Sequence, residues 1–195
     1  HREEVAALQL GLDLGMDLID TAEMYADGAA EAVVADAIAG HRDGVFLVSK
    51  VLPHNASYDG TLTACERSLA RLRVERIDLY LLHWPGEHPL DETLRAFTRL
   101  FEQGKIGHYG LSNFDLDELD RAEGLFGGPR VCANQVLYNL ERRGIERRLI
   151  PWCASRNVAV MAYSPLEQGR LRPHDTLRRV AVRHDATPAQ IALAW

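Results

Sequence analysis

Short apolar runs that end in a polar residue alternate along the chain with stretches whose apolar residues recur three and four positions apart. The runs are 16–22 (MDLIDTA), 45–50 (VFLVSK), 77–83 (IDLYLLH), 106–113 (IGHYGLSN), 131–135 (VCANQ) and 158–164 (VAVMAYS). Most are near-continuous in Val, Ile and Leu, as expected of parallel strands covered on both faces. The stretches between them read as amphipathic helices. Leu62, Cys65, Leu69 and Leu72 make one apolar face, and Leu90, Leu94, Phe97 and Phe101 make another. Strand, loop and helix in repeated order is the pattern of parallel βα units. Gly15, Gly40 and Gly104 stand just past helical segments, where a left-handed C-terminal cap favours glycine. Asp115 with Glu118 predicts a capping box, Thr187-Pro188 with Gln190 predicts a helix start, and Gly127-Gly128-Pro129 predicts a turn. No composition shift or low-complexity tract divides the chain, so residues 1–195 are expected to form a single domain.

Spacing and strand ends together choose the architecture. The polar residues that close the runs, at 20, 50, 83, 112, 135 and 163, are 30, 33, 29, 23 and 28 positions apart. A doubly wound sheet and a (β/α)8 barrel both repeat at about this period. A doubly wound nucleotide binder carries GxGxxG after its first strand, and no such motif occurs here. In a barrel every strand delivers its C-terminal end to one ring, where functional residues gather. Here the runs end in Asp20, Lys50, His83, Asn113, Gln135 and Tyr163, all chemically useful side chains. The expected fold is therefore α/β, a (β/α)8 TIM barrel.

Composition narrows the partners. With 22 Lys+Arg against 28 Asp+Glu the net charge is −6, which argues against nucleic acid as a main partner. No apolar run approaches the roughly 18 residues that span a bilayer, and no basic-then-apolar leader opens the chain. A cytoplasmic protein without membrane contact is expected. Cys65, Cys132 and Cys153 are odd in number, far apart and without a CxxC pair, which fits reduced core thiols better than disulfides or zinc. His41, His54, His88, His108, His174 and His184 show no metal-ligand spacing, so no metal is expected. Arg142, Arg143, Arg147 and Arg148 read as a solvated face paired to Glu141 and Glu146.

Asp20, Lys50 and His83 each follow an apolar run, and Tyr25 stands five residues after Asp20 in the following loop. Each singly would be explained as well by a structural ion pair at the strand ends, because a charge buried there unpaired is costly. Converged in one place, they share a task. An ammonium beside a phenol stabilises the phenolate and makes the phenol a better proton donor. Asp20 would hold Lys50 in position, and His83 would orient a carbonyl oxygen or relay a proton. None of the four can supply electrons, so a reduction here needs a hydride-donating cofactor.

The ordered segments LIDTAEMY, FLVSK, LYLLHWP, GLSNF and AYSPL resemble the aldo-keto reductase family, and the resemblance runs across essentially the whole chain. It implies a (β/α)8 barrel, NADPH as cofactor, and a catalytic tetrad on Asp20, Tyr25, Lys50 and His83. Hydride would pass to a carbonyl carbon while Tyr25 protonates the oxygen. The same resemblance sets Asp20 near the cofactor, Ser112, Asn113 and Gln135 around the nicotinamide carboxamide, and Tyr163 on the nicotinamide ring. Ser164, Pro165 and Leu166 then begin the loop along the pyrophosphate. Trp84, with Tyr25 and His83, would line the substrate pocket. Tyr109 departs from the family pattern, which more often has an aliphatic residue there. ADGAAE, LHWPG and NQVLYNLERRGIERRLIPWC resemble the bacterial branch that reduces methylglyoxal and similar small aldehydes, with relatives acting on diketo-gluconate. Reduction of small 2-oxo-aldehydes is expected first and of sugar-derived ketones second, by a protein that is a monomer at full length. The competing readings are a catalytically silent, nucleotide-binding regulatory member and an inactive fragment.

A barrel usually takes about 250 residues, and six strand signals occur in these 195. By the resemblance they are the second to the seventh. The first and eighth strands are expected to be missing, with the family's motif for the adenosine 2′-phosphate beyond the last residue. Two unpaired sheet edges would make this segment poorly soluble.

Overall fold

Each of the six apolar runs forms a strand. In the computed structural model, which describes residues 1–125, 131–172 and 174–195, the chain divides into two compact units, His1–Cys132 and Ala133–Trp195. The first holds α1 (Arg2–Asp13), β1 (Leu18–Asp20), α2 (Ala29–Ala37), β2 (Phe46–Val51), α3 (Tyr58–Leu72), β3 (Ile77–Leu82), α4 (Leu90–Glu102), β4 (Ile106–Ser112) and α5 (Leu116–Gly124). Its strands pair in sequence order, all parallel. The second holds β5 (Ala133–Leu137), α6 (Leu149–Ser155), β6 (Ala159–Tyr163), α7 (Asp175–Arg183) and α8 (Pro188–Ala194), with β5 and β6 parallel. The turn expected at Gly127-Gly128-Pro129 lies outside the described residues.

The apolar character of the runs explains this order. All six residues of β3 are buried, and Leu47, Val48, Val51, Ile77, Leu81 and Leu111 are wholly inaccessible, so strand faces are covered on both sides as parallel pairing requires. The one charge in β3 is satisfied. Asp78 Oδ2 accepts from the Leu47 N–H at 2.9 Å and from Arg42 Nη2 at 2.7 Å, which ties the start of β3 to β2.

Helix signals hold at most positions. Gly15, Gly40 and Gly104 adopt φ of 88°, 81° and 74°, the capping box forms at Asp115/Glu118, and the helix start at Thr187 proves to be a second one, with Gln190. The apolar face of α4 is shifted from the expected one. Thr93, Leu94, Ala96, Phe97 and Leu100 are buried while Phe101 is 40% exposed. One residue past Leu100 is about 100° around a helix, which carries Phe101 off the covered stripe. Tyr109, the departure from the family pattern, is buried against Phe97 with ring centroids 5.4 Å apart.

The three cysteines are free thiols, and burial pushes Cys65 up to about 12, so it stays an inert core side chain. No helix among the described residues is long and apolar enough to cross a membrane.

Candidate active site

Parallel pairing brings the C-terminal ends of β1 to β4 to one edge. Asp20 closes β1, Lys50 is the penultimate residue of β2, His83 follows β3, and Ser112 closes β4. Register aligns them: Asp20 pairs with Val48, Lys50 with Leu81, and Leu82 with Leu111. Tyr25 arrives from the loop after β1. Its return is made by three successive left-handed residues, Ala26 at φ 49°, Asp27 at φ 51° and Gly28 at φ 88°. Gly28 is needed twice over, for that φ and because a Cβ there would lie 2.7 Å from Arg71 Nε.

Lys50 is the centre of the cluster. Its side chain is wholly buried, and its ammonium donates to Asp20 Oδ2 at 2.8 Å, to the Thr21 carbonyl at 2.9 Å and to the Tyr25 hydroxyl at 3.3 Å. Three donors meet three acceptors, so a buried charge that would otherwise be costly is satisfied. The Tyr25 oxygen accepts from Lys50, which leaves its own O–H directed elsewhere. Asp20 is partly open and Tyr25 is 37% exposed, so solvent and small molecules reach the phenol.

His83 completes the group. Its ring stands edge-on to Tyr25 with centroids 5.7 Å apart, and Trp84 lies against it at 4.7 Å. His83 is buried, and its Nδ1 has no hydrogen-bond partner among the described residues. Burial first, and the Lys50 ammonium second, push the imidazole down from the usual 6.5 to about 4. At neutral pH it is therefore uncharged, with one ring N–H to donate. The histidine C2–H signal should titrate with a midpoint near 4 in a pH series followed by NMR; a midpoint at 6 or above would contradict the burial argument. The unfolded chain takes up this proton near 6.5 and the folded chain near 4, so the folded state loses stability as pH falls from 6.5 toward 4.

Ser112 is buried, and Asn113, at φ 61°, donates from Nδ2 to the His83 carbonyl at 3.0 Å and to Ser112 Oγ at 3.2 Å. The first unit thus brings Asp20, Tyr25, Lys50, His83, Trp84, Ser112 and Asn113 together. The other predicted residues belong to the second unit. Gln135 is buried in β5, Tyr163 ends β6 half-buried, and Ser164, at φ 54°, opens the loop that Pro165 and Leu166 continue.

Side chains without an obvious signal in the sequence organise both regions. In the second unit, Asn139 Nδ2 donates to the Ser164 carbonyl at 2.9 Å and to Glu167 Oε2 at 2.7 Å, while Arg142 Nη2 donates to Glu167 Oε1 at 2.9 Å. Arg142 thus pairs with Glu167, not with Glu141 or Glu146, because the loop after β6 returns to it; Arg143 takes Glu146 as expected. His174 caps α7 by accepting from the Leu177 N–H. In the first unit, Glu23 and Glu31 are buried acids on the segment that carries Tyr25. Among the described residues no group of three or more His, Cys, Asp or Glu is placed to hold a metal ion.

The profile of the Aldo/keto reductase family matches residues 1–195. Methylglyoxal reductase YeaE of Escherichia coli (strain K12) is 50% identical over 200 residues, covering 100% of this chain and 70% of that protein. Glyoxal reductase of Bacillus subtilis (strain 168) is 33% identical over 197 residues, covering 99% of this chain and 69% of its own length. Among solved structures, the aldo/keto reductase from Klebsiella pneumoniae in complex with NADP and acetate matches with a TM-score of 0.95 and 48% identity, over 100% of this chain and 70% of that one.

Proposed function

The chain belongs to the aldo/keto reductase family, a family of (β/α)8 barrels, and from that premise we propose that it is an NADPH-dependent reductase of small carbonyl compounds, 2-oxo-aldehydes such as methylglyoxal first. The observation that carries the reading is the Lys50 ammonium 3.3 Å from the Tyr25 hydroxyl, beside an uncharged His83. Relatives named for methylglyoxal and glyoxal reduction, and a structural relative holding NADP, support it.

The residues present fit a nicotinamide. Ser112 and Asn113 lie together at the end of β4, and a hydroxyl with an amide matches the donors and acceptors of a carboxamide. These two would hold the carboxamide, and Asp20 is assigned to the cofactor by resemblance. Gln135, Tyr163, Ser164, Pro165 and Leu166 in the second unit are assigned by resemblance to the remaining cofactor contacts. When bound, the reduced nicotinamide supplies the hydride that no side chain here can supply.

The chain's own residues handle the proton. Tyr25 donates its hydroxyl proton to the carbonyl oxygen as that oxygen gains negative charge. The phenolate left behind is stabilised by the Lys50 ammonium, which Asp20 and the Thr21 carbonyl keep aimed at it. His83, uncharged and buried, has one N–H with which to orient the carbonyl oxygen. It cannot compete with Tyr25 as the acid, because at neutral pH it carries no ionisable second proton. Trp84, against His83, lines the side from which a small substrate enters.

The test is consumption of reduced-nicotinamide absorbance with methylglyoxal, set beside a sugar-derived ketone. Turnover with methylglyoxal preferred is expected. Preference for the ketone would overturn the substrate class. Tight NADPH binding without any turnover would overturn the reductase and leave a regulatory, nucleotide-binding protein.

A further inference from the structure

We propose that Glu23 is a positioning residue for proton transfer: its carboxylate fixes the Tyr25 loop to the strand that carries Lys50 and so sets the separation of the two side chains. The proposal rests on the reading of Tyr25 as proton donor.

The hydrogen bonds follow the pattern of a parallel ladder and then depart from it at one place. Beyond the end of β1, the Thr21 N–H donates to the Val48 carbonyl at 2.9 Å and the Glu23 N–H to the Lys50 carbonyl at 3.3 Å. In a continuing parallel ladder the next bond runs from the Leu52 N–H back to the main-chain carbonyl of Glu23. Here the Leu52 N–H donates to the Glu23 side chain instead, at Oε1 and 2.8 Å. The carboxylate thus takes the place of the peptide oxygen. The main chain is released to turn toward Tyr25 two residues on, while its attachment to β2 is kept.

The rest of the carboxylate's surroundings serve the same attachment. Asn55 Nδ2 donates to Oε1 at 2.9 Å, and Arg67 Nη2 lies 3.4 Å from Oε2. All three donors come from the chain that follows Lys50. Glu23 is only 8% exposed, so these bonds are what make its burial tolerable.

The loop needs such an anchor. Ala26, Asp27 and Gly28 hold left-handed backbone in succession, a conformation that persists only where flanking structure over-determines it. On the far side of that turn Glu31 is bonded to Ser49 Oγ and to Arg71 Nε, both at 2.6 Å. On the near side the anchor is Glu23. Ser49 and Leu52 bracket Lys50 on the β2 segment, so two buried acids clamp the Tyr25 loop to either side of the lysine it must meet.

Glu23→Ala and Glu23→Gln, made in the full chain, separate positioning from general support of the fold. Methylglyoxal turnover, the solvent deuterium isotope effect, NADPH affinity by fluorescence and amide exchange are measured for each. For Glu23→Ala, kcat should fall about 10- to 100-fold, the scale on which a small misplacement of reacting groups acts. Its solvent isotope effect should grow as proton transfer becomes limiting, while NADPH affinity stays within about twofold, since uniform binding is untouched. Exchange should quicken about tenfold over residues 21–25 and at Leu52 and stay unchanged in α4, the mark of local opening. Glu23→Gln keeps an oxygen for the Leu52 N–H and should restore most of kcat.

An alanine variant with parental kcat overturns the proposal, as does a glutamine variant no better than alanine, or a loss of NADPH affinity in step with kcat. If the parent chain reduces no carbonyl, the reductase reading fails, and the exchange data then decide alone: faster exchange confined to residues 21–25 and Leu52 supports the anchor, and unchanged exchange overturns it.

Discussion

Tyr25→Phe is expected to abolish carbonyl reduction while leaving NADPH affinity nearly unchanged. The variant removes one oxygen and keeps the ring, so the edge-on contact with His83 at 5.7 Å and the Lys50 ammonium 4.9 Å from the ring centroid both survive. What is lost is the proton. A positioned general acid contributes about 10²- to 10⁴-fold to a rate, and no other group stands ready to replace it. His83 is uncharged down to about pH 4, and Lys50, whose third donor the variant frees, stays wholly buried with its other two on Asp20 and the Thr21 carbonyl. The hydroxyl's hydrogen bond is long, but its loss leaves one donor of the buried Lys50 ammonium unpaired, so removal should cost about 1–3 kcal/mol of stability. A stopped-flow single turnover beside a fluorescence titration with NADPH reads the two effects separately. Retained activity in the phenylalanine variant would mean that the proton comes from elsewhere; lost NADPH binding would mean that Tyr25 belongs to the cofactor contacts.

The division between what the sequence reveals and what only the folded chain reveals has a physical basis. Parallel strands buried on both faces, as β2 and β3 nearly are, announce themselves as near-continuous apolar runs, and β1 and β6 read the same way although residues in each are exposed. Asp20, Lys50 and His83 stand out for the same reason, as polar residues ending apolar runs. Local caps such as Asp115 with Glu118 are legible because both partners lie within one turn. Glu23 gave no such sign. An acid in a loop reads as solvated, and only the pairing of β1 with β2 brings it beneath Leu52 and Asn55, 29 and 32 residues away. The Asn139–Glu167–Arg142 group is hidden likewise, since its members are joined by the return of the chain after β6. Phe101 misled because a spacing of three and four admits two neighbouring stripes, and packing against the strands selects one. The depressed titration of His83 depends on burial and on a lysine 33 positions earlier in the chain, neither of which is encoded nearby.

Lys50→Met carries the second large expected effect and tests the electrostatic half of the mechanism. Methionine has an unbranched chain of similar length, so it fills the same buried space without the charge. The phenolate that forms as Tyr25 gives up its proton then has no ammonium beside it. Removing one preorganised group of this kind costs about 10²- to 10³-fold in kcat. The fold should tolerate the change at some cost, since removing one member of an ion pair leaves the other charge unpaired, the more so the deeper it is buried. Asp20 is 30% exposed and can rehydrate, and the Thr21 carbonyl alone loses a buried donor. The variant also has a readout that needs no turnover. Because the Lys50 charge is the second cause of His83's depression and burial the first, the His83 midpoint should rise from about 4 yet remain below 6.5. A lowered kcat with a raised midpoint is the expected pair. A raised midpoint with unchanged kcat would make Lys50 a structural ion-pair partner and nothing more, and an unmoved midpoint would mean that its charge does not reach the imidazole at all.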